Sequence, residues 1–505
     1  LGMMAALIAD KMRPGMVLFS VVVLFLCVGI LTPKEMLEGF SNKGMITVAL
    51  LFLVSEGIRQ SGTLGQVIKK LLPQGKTTVF KAQLRILPSV AFISAFLNNT
   101  PVVVIFAPII KHWAKSVKLP ATKFLIPLSY VTILGGICTL IGTSTNLVVH
   151  GMILEAGYEG FTMFELGKVG IFIAIAGIIY LFIFSKRLLP DARPDTAVPD
   201  EEVEEGEKLH RVEAVLGARF PGINKKLSDF NFQRHYGAEV KEIKTRNGQR
   251  YVDHLEDVVL REGDTLVVMA DDTFIPTWGE SSVFVLLTNG NDPDTSGKKK
   301  RWLALILLVL MIVGATVGEL PATKEMFPDI KLDMFFFVCI TTIIMAWTNI
   351  FPARKYTKYI SWDILITIAC AFAISKAMVN SGVADCVAGF IIGLSDDYGP
   401  HVLLAILFVI TNLFTELITN NAAAALAFPL ALSISAQLGV SPTPFFVVIC
   451  MAASASFSTP IGYQTNLIVQ GIGNYKFTDF VRIGLPLNII TFLISVILIP
   501  LIWNF

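Results

Sequence analysis

Long apolar runs, broken at intervals by short polar clusters, dominate both ends of this chain and are missing from its middle. Residues 16–31, 46–58, 171–184, 303–317, 335–347, 364–378, 402–413 and 483–503 are the clearest runs. A helix needs about 20 apolar residues to cross a hydrocarbon core of about 30 Å, and the pattern predicts on the order of ten spanning or half-spanning helices. Between Lys186-Arg187 and Lys298-Lys299-Lys300-Arg301 the runs stop. Short β-branched stretches take over at 211–216, 239–245, 265–270 and 282–287, separated by turn signals at Asn247-Gly248 and Glu262-Gly263-Asp264. This predicts a small α+β domain of roughly 80 residues, preceded by a solvated acidic linker at 200–205.

The polar clusters are duplicated. Gly142-Thr143-Ser144-Thr145-Asn146-Leu147-Val148-Val149-His150-Gly151 matches Gly462-Tyr463-Gln464-Thr465-Asn466-Leu467-Ile468-Val469-Gln470-Gly471, 320 positions later, with six identities. Ser94-Ala95-Phe96-Leu97-Asn98-Asn99-Thr100 echoes Thr415-Glu416-Leu417-Ile418-Thr419-Asn420-Asn421 at an offset of 321, and 46–62 aligns with 366–382 at 320. Three matches at one offset describe a duplicated membrane unit. Lysines flank the first Asn-rich break (Lys69, Lys70, Lys76 and Lys81 before it; Lys111, Lys115, Lys118 and Lys123 after it), whereas Ser395-Asp396-Asp397-Tyr398 and the cation-free stretch 435–444 flank the second. Short cytoplasmic loops are rich in Lys and Arg, so the breaks face opposite sides and the repeats are inverted. The same rule places the insert in the cytoplasm. The fold class expected is an all-α polytopic membrane protein of two inverted repeats with re-entrant hairpins near 78–117 and 400–437, plus the α+β insert. Its parts are an N-terminal membrane half (1–190), a linker and insert (191–298, core about 207–288) and a C-terminal membrane half (299–505).

The breaks carry the chemistry. The apolar runs 92–97 and 102–110 are each too short to span, and Pro101 cannot donate a backbone N–H. Half-helices meeting at Asn98-Asn99-Thr100 leave unpaired backbone groups at membrane depth, tolerated only in a protein-lined or wet cavity. Helix N-termini suit an anion; carbonyls with Ser, Thr and Asn oxygens suit a small hard cation such as Na⁺. Glu416 has Ala95 opposite it and stands outside this symmetry; buried in a membrane it requires a partner or a function. Glu56 and Lys376 are repeat equivalents read as structural. Charged residues make up 16% of the chain and mean hydropathy is +0.66, which excludes an ordinary soluble enzyme. The six cysteines are dispersed, no GxxxxGK[ST] loop occurs and no His/Cys ligand cluster occurs, which argues against an enzyme, zinc chemistry or ATP-driven pumping. No organic cofactor and no nucleic-acid partner is expected. The segment at 3–9 reads as the tail of an earlier helix.

At these residues the chain resembles the divalent anion:sodium symporter family, within the ion-transporter superfamily. The resemblance implies an elevator mechanism in a homodimer, with two sodium sites. One would use Ser94, Asn98, Asn99 and Gly142, the other Thr415, Ile418, Asn420 and Gly462. Substrate would lie between Asn98-Asn99-Thr100 and Thr419-Asn420-Asn421 with Thr143 nearby, supported by Thr145, Asn146, Thr465, Asn466 and Glu416. Asn98, Thr419 and Asn421 depart from the carboxylate-transporting pattern, and the Asn-Asn-Thr-Pro form with an insert resembles the sulfate-transporting branch of bacteria and algae. Phe220-Pro221-Gly222, Arg234-His235-Tyr236-Gly237-Ala238 and Leu260-Arg261-Glu262-Gly263-Asp264-Thr265-Leu266 resemble the second of that branch's paired TrkA C-terminal domains, which can dimerise or bind a nucleotide or ion. The expectation is a sodium-coupled carrier of a small divalent anion, sulfate first, in the bacterial inner membrane. The alternatives are a di- or tricarboxylate symporter on the same scaffold, a cation channel or proton antiporter regulated by the insert, and a non-transporting sensor.

Overall fold

The computed structural model describes residues 2–9, 12–73, 75–191, 210–217, 220–245, 249–271, 274, 278, 283–288, 298–327, 330–393 and 399–505. The acidic linker, the Asn247-Gly248 turn and the 395–398 loop lie outside these residues. The protein is a multi-pass membrane protein of two inverted repeats with re-entrant hairpins and a small α+β insert. Among the described residues seven helices are long and apolar enough to span, and four shorter apolar ones accompany them.

Element by element, the repeats correspond. Pro14–Cys27 matches Met334–Trp347, Lys43–Gln60 matches Trp362–Asn380, and Thr63–Leu71 matches Val383–Gly393. The first hairpin (Val79–Ser94, Asn99–Ser116) matches the second (Gly399–Leu417, Asn420–Leu438). Thr122–Gly136 and Ser144–Glu155 match Thr443–Ser454 and Gln464–Gly473, and Gly167–Leu188 matches Phe477–Ile502. The repeated Ser-Gly pair has a backbone reason. Gly62 (φ 71°) and Gly382 (φ 70°) take the left-handed conformation at the turn after each first long helix, where a side chain would strain the backbone.

The hairpin arms are longer than the apolar runs 92–97 and 102–110 suggest. The helices continue outward through Lys81 and Arg85 on one arm and Lys115 on the other, whose side chains are exposed or half-exposed. Pro101 does not stop a helix. It lies in the first turn of Asn99–Ser116, where its missing N–H is one the helix leaves unpaired anyway. Arms of the second hairpin are long enough to span, yet only two residues join them and they pack side by side, so the chain turns back. Every residue of Thr122–Gly136 is buried, as is nearly all of Thr443–Ser454. A helix apolar on all sides belongs in the middle of a bundle, and these two surround the breaks. Lys123, read from sequence as a loop cation, is buried instead. Its ammonium donates to the carbonyls of Lys186 (2.7 Å) and Leu189 at the C-terminal end of Gly167–Leu188, where the helix dipole favours a positive charge.

The insert is one antiparallel sheet of β1 (His210–Leu216), β2 (Glu239–Lys244), β3 (Arg250–Tyr251), β4 (Thr265–Ala270) and β5 (Phe284–Thr288), in the order β3-β2-β4-β1-β5. The two-residue β3 and the short helix Phe232–Tyr236 carry too little pattern to be read from sequence. Phe220, Phe230, Phe232, Tyr236, Ile243, Leu266 and Phe284 form the insert's own core. The sheet docks on the membrane part. Glu213 on β1 accepts from Lys111 of the first hairpin (3.0 Å) and from Lys244 of β2 (3.4 Å). Thr265 sits against Gly471, where an added Cβ would lie 2.4 Å from its hydroxyl, and Gly263 faces Leu467. Both members of the Lys111–Glu213 pair are largely buried. Lys111→Ala, Glu213→Ala and the double variant, compared by unfolding in detergent, should give a coupling of about 1 kcal/mol; additive effects would show that the pair does not hold the insert.

Candidate functional site

Each break is built by the same hydrogen-bond lattice. In the first, the Ser94 hydroxyl reaches Asn99 Oδ1 (2.8 Å) and the Thr132 carbonyl (2.9 Å). Thr139 donates to the Ala95 carbonyl and accepts from the Gly142 N–H (3.1 Å), while Asn146 Nδ2 donates to the Thr139 carbonyl (2.9 Å). In the second, Thr415 reaches Asn420 Oδ1 (3.2 Å) and the Ala453 carbonyl (2.6 Å). Thr459 donates to the Glu416 carbonyl (3.0 Å) and accepts from the Gly462 N–H (3.4 Å), while Asn466 Nδ2 donates to the carbonyls of Ser456 (2.9 Å) and Thr459 (3.1 Å). Hydroxyl, amide and backbone oxygens thus gather beside a glycine in both repeats. Glycine is required there: a Cβ at Gly142 would stand 2.5 Å from the Gly136 carbonyl, and one at Gly462 2.4 Å from the Thr415 carbonyl.

The two breaks meet. Asn99 Nδ2 donates to the Tyr463 hydroxyl (2.6 Å), which also lies 3.0 Å from Thr143 Oγ1. Thr100 and Gln464 are 3.5 Å apart, and Asn421 Oδ1 accepts from Ser144 and Thr145 at 3.3 Å each. Each tip therefore touches the unwound segment of the other repeat. Ser129 adds a further crosslink: its hydroxyl donates to Asn466 Oδ1 (2.7 Å) and lies 2.9 Å from Thr465 Oγ1, from which it accepts.

Four helices begin at this meeting point: Asn99–Ser116, Ser144–Glu155, Asn420–Leu438 and Gln464–Gly473. Their N-cap residues are Asn98, Thr143, Thr419 and Tyr463, and none of the four side chains caps its own helix. Asn and Thr ordinarily do so. Here Thr143 is turned to Tyr463 and the buried Thr419 hydroxyl has no hydrogen-bond partner. Four uncapped N-termini carry partial positive charge and free N–H donors, which is an environment for an anion. No fixed cation is needed for it. Asn98 and Ser144 also line a cavity against Val48, Val54 and Ser55 of Lys43–Gln60 and Leu308 and Met311 of Lys298–Gly318, so the open side of the tips faces those helices. Ile418 is buried directly before the second tip.

Glu416 is braced rather than exposed to the tip. Its Oε1 accepts from the Ser458 N–H (2.8 Å) and from Asn488 Nδ2 (2.7 Å), and Asn488 also reaches Ser458 Oγ (2.8 Å). This carboxylate ties the second hairpin to the unwound segment and to Phe477–Ile502. Glu416→Ala leaves a buried N–H and amide unpaired and should lower stability by about 1–3 kcal/mol, whereas Glu416→Gln keeps an acceptor and should lose less. Unfolding midpoints in detergent decide the point; equal losses would mean the bracing is unimportant. Glu56 pairs with Arg59 (2.6 Å) on its own helix, and Lys376 is exposed.

The duplicated pattern does not single out Tyr463, Ser129, Thr139, Thr459 or Asn488 as site residues. Thr139 and Thr459 stand 320 positions apart, the repeat offset, which is the signal that could have found them. Tyr463 is the repeat equivalent of Thr143 and counts as a mismatch between the copies.

A family profile described as citrate transporter matches residues 4–434 and 326–505. The chain belongs to the citrate transporter family. It is 30% identical over 96% of its length, and 93% of the relative's, to an uncharacterized transporter of Synechocystis sp.. It is 28% identical, over 95% of its own and 96% of the relative's length, to a putative sulfur deprivation response regulator of Chlamydomonas reinhardtii. A third relative, a probable sodium/sulfate cotransporter 3 of the same alga, is 32% identical over 55% of this chain and 31% of its own. Family and relatives describe a transporter rather than an enzyme.

Proposed function

We propose that this carrier moves a small divalent anion, sulfate first, together with sodium across the membrane by an elevator movement in a homodimer. The observation that carries the reading is the convergence of four uncapped helix N-termini between two symmetric oxygen lattices. One sodium is held by Ser94, Asn98, Asn99 and Gly142, and the other by Thr415, Ile418, Asn420 and Gly462. The anion lies between the tips, among Asn98, Asn99, Thr100, Thr143, Thr419, Asn420 and Asn421. Thr145, Asn146, Thr465, Asn466 and Glu416 hold the frame. Cations on the oxygen lattices cancel the charge brought by the anion, so neither crosses well alone: a buried ion without a counter-charge is too costly. The Lys/Arg bias supports a cytoplasmic insert in the plasma membrane protein, and its sequence resemblance supports a TrkA C-terminal-type domain that couples subunits or takes a nucleotide or ion ligand.

Sulfate is favoured over a carboxylate by the sodium/sulfate name of one relative and by the short polar tips; the family name favours the carboxylate. Uptake into proteoliposomes of sulfate, molybdate, selenate, succinate and citrate, each with and without a sodium gradient, separates them. Sodium-dependent sulfate uptake resisted by citrate is expected. Uptake of none of these anions would overturn the reading.

A further inference from the structure

We propose that Tyr463 is the selectivity residue of this carrier: its phenol recognises an acceptor-only tetrahedral oxyanion and its ring leaves no room for a chain dicarboxylate. The inference rests on the transport reading above and deepens it. Tyr463 is 9% exposed, and its hydroxyl joins the first tip (Asn99) to that repeat's unwound segment (Thr143). Both repeat pairs of N-caps differ in identity, Asn98 against Thr419 and Thr143 against Tyr463, but only the second pair sets an aromatic residue opposite a small polar one. An aromatic ring thus fills, on one side of the pseudo-axis, space that a threonine leaves open on the other.

Donor and acceptor roles narrow the ligand. Asn99 Oδ1 is occupied by Ser94, so its amide nitrogen is the donor to the Tyr463 oxygen. Thr143 Oγ1 lies 3.0 Å from the same oxygen and either atom can donate; with Thr143 as the donor, the phenol proton turns to a ligand and joins the N–H groups of the uncapped helices. All of these groups donate. A fully ionised sulfate offers acceptors in every direction and asks for no acceptor in return. A dicarboxylate places its two charges at the ends of a carbon chain, which must pass the ring. Sites that hydrogen-bond a ligand group discriminate far more sharply than sites that differ only in apolar volume.

Two substitutions separate the two roles. Tyr463→Phe keeps the ring and removes the hydroxyl; the sulfate KM should rise about 10- to 100-fold, the worth of a hydrogen bond to a charged group, with kcat changed much less. Tyr463→Thr restores the residue of the other repeat; the ratio of succinate to sulfate uptake should rise at least tenfold. Both are measured as sodium-dependent initial rates in proteoliposomes after unfolding midpoints have been taken in detergent. If Tyr463→Thr does not fold, Tyr463→Phe still decides the hydrogen-bond claim. Wild-type sulfate KM in Tyr463→Phe, an unchanged succinate-to-sulfate ratio in Tyr463→Thr, or preference for succinate in the unaltered carrier would each overturn the proposal while leaving sodium-coupled transport intact. No sodium-dependent uptake by the unaltered carrier would instead overturn the transport reading itself.

Discussion

Asn99→Ala and Asn420→Ala should each reduce sodium-dependent uptake at least about 100-fold in a protein that still folds. Each asparagine has two jobs in the lattice. Its Oδ1 is gathered with the hydroxyl of Ser94 or Thr415, and its other end faces Tyr463. Alanine removes both, so the cation loses an oxygen and the phenol loses its orientation. A hydrogen bond involving a charged partner is worth about 1.5–3 kcal/mol, and two such losses in one site reach a hundredfold or more. Folding should survive because the helices are closed by their own backbone bonds and by Asn146 and Asn466, which are untouched. The check is uptake in proteoliposomes alongside monodispersity in detergent. Near-normal uptake by either variant would remove the basis for the sodium sites.

Gly462→Ala should abolish transport and lower stability. The new methyl would stand 2.0 Å from Ser456 Oγ and 2.4 Å from the Thr415 carbonyl. A serine hydroxyl can rotate away, but the Thr415 carbonyl is backbone in the last turn of a helix and cannot. The strand of residues between Thr459 and Gln464 must therefore shift, at a cost of about 1–3 kcal/mol, and the oxygens of the second site separate. Pairing it with Ser456→Ala should not restore uptake, because the carbonyl clash remains. Gly142→Ala, facing the Gly136 carbonyl at 2.5 Å, should behave alike in the first repeat. Rescue by Ser456→Ala would show that the side chain, not the backbone, sets the fit.

Much of this fold was legible because it was written twice. Offsets of 320 and 321 mark both hairpin tips, both unwound segments and the glycines that open those segments. What repetition could not reveal lay where the copies differ or where single-copy residues meet. Tyr463 falls opposite a threonine, so the comparison that found the motif discounted the residue that joins its halves. Glu416 was noticed as a misplaced charge, but its partners Ser458 and Asn488 are 42 and 72 positions away, with no pattern linking them. Lys123 was assigned to a loop by its charge, although its long stem reaches a helix end from a buried position. The hairpin bounds near 78–117 and 400–437 agree with the observed arms, although the apolar runs inside them are shorter, because backbone hydrogen bonding continues where hydropathy ends.

The placement of Glu213 and Thr265 makes the sheet a passenger. It is fastened to Lys111 of one hairpin and to Gly471 beyond the opposite repeat's unwound segment, so a displacement of either is transmitted to the strands without a flexible tether between. Under the elevator movement proposed above, a fluorophore attached to β3 would serve as an odometer for that displacement.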